Sequence, residues 1–251
     1  MLSAVIIARN EAANIERVIQ SVLGVVTEVV VVDSGSTDGT QQLAKALGAR
    51  VLETEWKGYG ATKNWGAAQA NNPWILSLDA DEELTEHLRT TIGRLSLDEL
   101  SPKPVYKFKR TTQFCGKWIH HGAWSRDMVW RLYHREVASW NTRPVHETLT
   151  YKEDAPIFEL AGELNHYSFE SLAHYHQKHD HYAQLGAEAL LAQGKKATWI
   201  KRNLAPFWRG FKGYIIQGVW RDGAAGWQIA VLDYQHVKDK YQRLKYLSKV
   251  S

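Results

Sequence analysis

Residues Glu28–Thr40 read EVVVVDSGSTDGT: four consecutive valines, then an aspartate, then a loop of small polar residues. A strand with one wet face alternates polar and apolar positions, so an unbroken β-branched run marks a strand covered on both faces. The glycine and serine content after Asp33 permits close backbone approach to a ligand. It is not a phosphate loop, because GxxxxGK[ST] is absent from the chain. Asp38, within the loop, reads equally well as a turn or helix-capping residue.

The same pattern extends outward from this stretch. Upstream, LSAVIIA (2–8) is a nearly continuous apolar run, followed by Ile15, Val18, Ile19 and Val22 at helical spacing, with Gly24 as the stop. Downstream, Leu43, Ala44 and Leu47 mark a short helix ended by Gly48. ARVLETE (49–55) is a third strand, ATKNWGAAQA (61–70) a helix and WILSLD (74–79) a fourth strand. Strand and helix alternation at this pace predicts βαβ units, an α/β fold and a mostly parallel, Rossmann-like sheet flanked by helices. In such sheets ligands sit beyond the carboxyl ends of the strands. Arg9-Asn10-Glu11, Asp33, and Asp79 with Asp81 all fall at such ends. Three polar clusters at three strand ends predict a binding site, with nucleotide as the leading ligand.

The fourth strand continues as WILSLDADEEL (74–84), with acids at Asp79, Asp81, Glu82 and Glu83. Like charges at one spot repel unless something positive offsets them. On an extended segment Asp79 and Asp81 would point the same way and reach one ligand. Paired carboxylates suit Mg²⁺ or Mn²⁺ carrying a phosphate. Glu82 and Glu83 read as acids favouring the N-terminus of a following helix.

Composition bounds the alternatives. A chain of 251 residues, 44% hydrophobic and 23% charged, is globular, with room for one large α/β domain or one domain with an appendage. One cysteine, Cys115, excludes an internal disulfide framework and a cysteine-based zinc site. The N-terminus has no basic n-region and reaches Asn10-Glu11 before an apolar core is complete, so no signal peptide is expected. No run of spanning length exists.

The last quarter changes character. Trp199, Phe207, Trp208, Phe211, Tyr214, Ile215 and Trp220 interleave with Lys195, Lys196, Lys201, Arg202, Arg209 and Lys212. Cationic residues with interfacial aromatics describe a helix lying on an anionic bilayer, and equally an amphipathic face packed on the rest of the protein. Aromatic and basic residues also serve RNA stacking, but no nucleic-acid motif accompanies them and no nucleic-acid partner is expected. His174, His176, His179 and His181 have spacings that spread side chains around a helix, which argues against a histidine metal site.

ARNEAANIERVIQSV, VVVVDSGSTDGT and GATKNWGAAQANNPWILSLDADEEL, in that order, resemble family 2 inverting glycosyltransferases of the GT-A fold. The later WRLYHRE, RPVHETL and GELNHYSFESL resemble the branch containing lipopolysaccharide core β-1,4-glucosyltransferases. The resemblance implies a nucleotide-sugar-binding part over 1–95, an acceptor-side part of the same domain over 96–166, and a helical, basic-aromatic extension over 167–251. It places Asn10, Glu11 and Asp33 at the nucleotide base and ribose, and Lys63 near the diphosphate. Asp79 and Asp81 become the DxD pair on ribose and a divalent metal, Mg²⁺ or Mn²⁺, with His166 near the metal. Arg131 pairs with phosphate or with acidic neighbours.

An inverting transfer needs a base to take the acceptor's proton. Glu147, beside His146 and after Arg143-Pro144, is the first candidate, and Asp127 the second. The implied reaction moves glucose from UDP-glucose to a lipopolysaccharide inner-core sugar, at the cytoplasmic face of an anionic inner membrane. Three alternatives stand beside it: a family 2 transferase for another hexose or for polyprenyl phosphate, a HAD-like phosphatase with Asp79 as nucleophile and Asp81 as acid, and a non-catalytic membrane or carbohydrate-binding module.

Overall fold

The computed structural model describes residues 1–125, 127–143, 147–169 and 171–250. It contains two compact units, Met1–Arg110 with Met128–His166, and Thr111–Asp127 with Tyr167–Ser251.

The first unit begins as the valine run predicts. Strand β1 (Leu2–Ala8), helix α1 (Ile15–Val22), β2 (Glu28–Asp33), α2 (Thr40–Ala46), β3 (Arg50–Glu53), α3 (Tyr59–Gln69) and β4 (Trp74–Asp79) alternate along the chain. Strands β3, β2, β1 and β4 lie side by side in that order and are parallel. Every residue of β1 is buried. Leu2, Ala4, Ile6 and Ala8 face one apolar core with Ile15, Val18, Ile19 and Val22 of α1, while Val5 and Ile7 face a second core with Ala67 of α3. Covering both faces favours apolar side chains along the whole strand, with Ser3 and Ser77 the small polar exceptions in β1 and β4, whereas α1 needs only its inward stripe. Helix α3 comes very close to the sheet at Gly66, where a Cβ would lie 2.6 Å from methyl carbons of Val5 and Val32.

Beyond β4 the chain forms β5 (Glu82–Leu84) and α4 (Glu86–Gly93). Glu82 and Glu83 therefore lie on a strand and not in a helical first turn. The helix starts after Thr85, whose hydroxyl accepts the Leu88 N–H. The sheet continues through β6 (Val105–Phe114), β7 (Lys117–Trp118), β8 (Asp127–His134) and β11 (Ile157–Phe169), while β9 (Ala138–Trp140) and β10 (Leu149–Tyr151) pair separately. Among the described residues the full order is β3-β2-β1-β4-β8-β6-β11-β5, with β7 on β6. The parallel part stops at β4, because β8 joins it antiparallel with Trp74 opposite His134 and Leu76 opposite Leu132. The sheet is thus mixed. This reversal carries the earlier residues of β8 toward the carboxyl end of β4.

Among the described residues the second unit has three long helices, α5 (Leu172–Ala192), α6 (Trp199–Phe211) and α7 (Gly223–Val250). Phe114, Ile119, Tyr175, Val219, Ile229 and Leu232 are buried together in its core. Thr198 caps α6 by accepting the Lys201 N–H, and Gly210 brings α6 so near α7 that a Cβ would sit 3.0 Å from the Ala230 carbonyl oxygen.

Candidate active site

Parallel register brings the carboxyl ends of three strands together, with Ala8 opposite Asp33 and Ile7 opposite Asp79. The loops after β1 and β2 are knitted to each other. Asn10, at a left-handed φ of 57°, accepts the Thr37 N–H through Oδ1 at 2.8 Å and donates its own N–H to Ser36 Oγ. The Glu11 N–H reaches Thr40 Oγ1 at 2.8 Å, and the Glu11 carboxylate accepts from Asn14. Asp38 accepts from the Ala12 and Thr40 N–H groups, which is the turn role its residue type suggests. Asp33 is buried and accepts from the Gly35 and Ser36 N–H groups, the Ser36 hydroxyl and Gln41 Nε2. Its carboxylate fixes the loop shape.

Next to these loops lies a cluster of charges. Helix α3 turns Gly60, Lys63 and Ala67 inward, so Lys63 is only 1% exposed. Its ammonium stands 3.0 Å from Asp79 Oδ1 and donates to Glu147 Oε1 at 2.8 Å. Arg131, buried on β8, donates to Asp79 Oδ2 at 2.7 Å and to Glu82 Oε1 at 2.6 Å. Arg110 donates to the same Glu82 oxygen at 3.0 Å, and Glu82 Oε2 accepts the Asp79 N–H. Three cations and three carboxylates thus share one small volume. Trp140 walls it, its ring 4.4 Å from Lys63 Nζ and 5.5 Å from the Arg131 guanidinium carbon. Asn64 holds the Trp140 backbone through two hydrogen bonds of 2.7 and 2.8 Å.

The electrostatics follow from this packing. Burial alone would raise the Asp79 pKa, but Lys63 and Arg131 outweigh it and hold the carboxyl well below its ordinary range. Burial alone would lower that of Arg131, and the charges of Glu82 and Asp79 drive it up instead. Asp79 and Arg131 are both ionised.

Asp81 departs from the side-by-side arrangement expected of a DxD pair. The strand ends at Asp79, and Ala80 and Asp81 form a turn that lets β5 start a new ladder with β11. In that ladder His166 is opposite Glu82, which sets His166 Nε2 3.4 Å from Asp81 Oδ2. The DxD acids are therefore divided between partners, Asp79 with Lys63 and Arg131, Asp81 with His166. Among the described residues no group of three or more metal-ligating side chains converges. The half-buried Asp81–His166 pair fits a divalent cation of the kind that keeps waters and takes phosphate oxygens as its remaining ligands.

The structure brings Lys63, Asp79, Arg131 and Glu147 together and leaves Asp81 and His166 as a neighbouring pair. Asp127, the second candidate base, opens β8. Pro144 and His146 lie outside the described residues. Glu82, Arg110 and Trp140 were not anticipated. For Glu82 the structure supplies the reason: Ala80, Glu82 and Leu84 are buried at alternate positions, a strand period that the run of acids 81–83 hides in the sequence. In the histidine-rich helix, His179 is buried and stacked on Tyr175 with ring centroids 5.6 Å apart, while the side chains of His174 and His181 lie outside the described residues.

The family model "Glycosyl transferase family 2" matches residues 3–174, a span that contains all of these site residues. The chain belongs to that family. It is a glycosyltransferase, and the family match leaves the phosphatase alternative without support. An uncharacterised glycosyltransferase of Rickettsia bellii is 34% identical over 231 residues, covering 86% of this chain and 76% of the relative. The lipopolysaccharide core biosynthesis glycosyltransferase LpsC of Rhizobium meliloti is 28% identical, covering 90% of this chain and 84% of that one. Glucosyl-3-phosphoglycerate synthase from Mycobacterium tuberculosis, solved with Mn²⁺, UDP and glucosyl-3-phosphoglycerate, is a partial match. It is 29% identical with a TM-score of 0.36, over 45% of this chain and 44% of the other.

Proposed function

We propose that this family 2 transferase moves glucose from UDP-glucose, with inversion, to a sugar of the lipopolysaccharide inner core. It acts at the cytoplasmic face of the inner membrane. The observation that carries the reading is the cluster of Lys63, Arg110, Arg131, Asp79, Glu82 and Glu147 beyond the parallel strands. Buried charges are costly, and a balanced set at the carboxyl edge of a sheet is a place prepared for a charged ligand. The likeness to LpsC supports the choice of acceptor.

In this reading residues 1–95 bind the donor, 96–166 the acceptor and 167–251 the membrane side. Asn10, Glu11 and Asp33 form the nucleotide pocket, and Asp33 does so by holding its loop in shape. Lys63 and Arg131 attract the diphosphate. Asp81 and His166, with Asp79 beside them, would hold a divalent cation, Mg²⁺ or Mn²⁺, which supplies charge stabilisation to the departing diphosphate. The acceptor hydroxyl oxygen bonds to the anomeric carbon as the bond to the diphosphate oxygen breaks. UDP leaves with that electron pair, and the hydroxyl proton passes to Glu147. Lys63 bridges Asp79 and Glu147, so a diphosphate that draws the ammonium toward itself frees Glu147 to take the proton. Asp127 takes that role if Glu147 does not.

Calorimetric titration of UDP and UDP-glucose, with and without Mn²⁺, on wild type and Asp81→Asn tests the donor site. Tight binding that needs metal and is weakened in Asp81→Asn is the expected result, and absence of UDP binding in every condition sinks the reading. Glu147→Gln should lower turnover by roughly 10²–10⁴-fold while UDP-glucose binding changes little. Retained turnover in Glu147→Gln moves the base to Asp127.

A further inference from the structure

Helix α6 is amphipathic in an inverted sense. Its outward positions follow a helical repeat and carry Trp199, Ile200, Leu204, Phe207, Trp208 and Phe211, all exposed, with Trp199 at 63% and Phe207 at 64%. Its inward positions include Pro206, Gly210 and Arg209, the last donating to Asp233 of α7 at 3.0 Å. An ordinary surface helix turns its apolar stripe inward and its charges outward. Here small residues and an ion pair seat the helix on α7, and the aromatic side is left outside. The apolar surface continues past the helix through Ile215, Ile216 and Trp220, each at least half exposed. Exposed apolar patches of this extent mark interaction sites.

The charge around the patch selects its occupant. Between Glu188 and Asp222 the chain carries Lys195, Lys196, Lys201, Arg202, Arg209, Lys212 and Arg221 and not one acidic residue. Lys195, Lys196, Lys212 and Arg221 are exposed, on the segments that enter and leave the aromatic face. Aromatic and aliphatic side chains flanked by cations suit a sheet of anionic headgroups over an acyl interior. Among the described residues no helix is long and apolar enough to cross a membrane, so the contact is one of lying in the interface.

We infer that the outward face of α6, with the turns that follow it, docks the second unit onto an anionic lipid bilayer, inserting Trp199, Phe207, Trp208 and Phe211 at headgroup level. The inference takes up the membrane location in the proposed function, but its physical basis is separate. Vesicles without donor or acceptor test it, and the UDP titration needs no lipid, so either can fail alone.

The experiment is flotation of the full chain with vesicles of phosphatidylcholine and phosphatidylglycerol, against phosphatidylcholine alone. Wild type should float with the anionic vesicles and much less with the neutral ones. Joint Phe207→Ser and Trp208→Ser, with an unchanged circular dichroism spectrum, should cut the partition by at least ~10-fold. Lys195→Glu with Lys196→Glu should remove most of the preference for anionic lipid and leave the wild-type spectrum intact. Absence of wild-type binding to anionic vesicles overturns the inference, as does unchanged binding by both folded variants. So does a concentration-dependent dimer that Phe207→Ser and Trp208→Ser dissolves, because the occupant is then a second copy of this chain.

Discussion

Lys63 is 1% exposed in the first unit, while Trp199 on the second is 63% exposed. Each unit places outside what the other keeps inside. In the first, six charges pair with one another, two of the cations beside Trp140; in the second, large apolar side chains line the outer face of α6. Neither arrangement is the cheapest way to fold. A buried ion cluster gives little net stability over a well-packed apolar one, and exposed aromatics forgo the gain of burial. Such departures from local rules gather at functional sites, and they are the basis of the donor site and the lipid-docking face proposed above.

The largest expected effect breaks the first half of that contrast. Arg131→Ala leaves Glu82, itself 1% exposed, with Arg110 as its remaining guanidinium partner, and strips Asp79 of one of its two cations. Removing one member of a buried pair costs about 3–5 kcal/mol, because the partner charge stays buried. Trp208→Ala, a larger truncation on an exposed face, should cost about 0.5 kcal/mol or less. Urea unfolding of both variants gives the comparison directly. If Trp208→Ala proves as costly as Arg131→Ala, the aromatic face is packed and the contrast between the units fails.

How far each region was legible in advance follows from the range of its interactions. The strands β1, β2 and β4 were plain, because burial on both faces demands continuous apolar runs and Val29–Val32 is one. The antiparallel half was not, since β5, β9 and β10 are three residues long and set by pairing across the chain. Asp79, Lys63, Glu147 and Arg131 were picked out by motif, but their joining depends on β8 reversing beside β4. In the sequence Glu82 reads as a helix-start acid, because acids favour that place; its burial alongside Ala80 and Leu84 comes from β5 pairing with β11, which no local pattern states. The aromatic and basic residues of the last quarter were visible as composition. Which way they face depended on Gly210 seating α6 against α7, and nothing local to the helix states that.

Acid gives a finer test, through the groups whose pKa values burial and neighbouring charges shift in each unit. In the first unit, Lys63 and Arg131 hold the Asp79 carboxyl below its ordinary range, so its contribution is complete above pH ~4 and is lost as pH falls below that. In the second, burial pushes His236 down to about 4, with Lys240, His179 and Arg209 adding to the shift. An unfolded histidine titrates near pH ~6.5, so between there and about 4 the unfolded chain binds the extra proton and stability falls as pH falls. His179 in the second unit and His134 in the first, both lowered mainly by burial, have the same sign, while Asp233, raised mainly by burial, has the opposite one. Subtraction isolates His236. The urea midpoint of wild type should drop from pH 7 to pH ~5, and His236→Gln should show a shallower drop over the same interval. Parallel slopes in the two proteins would mean that His236 is as free to protonate in the fold as in the unfolded chain. The acid sensitivity of the second unit would then rest on His179, the other histidine described in that unit whose pKa burial lowers.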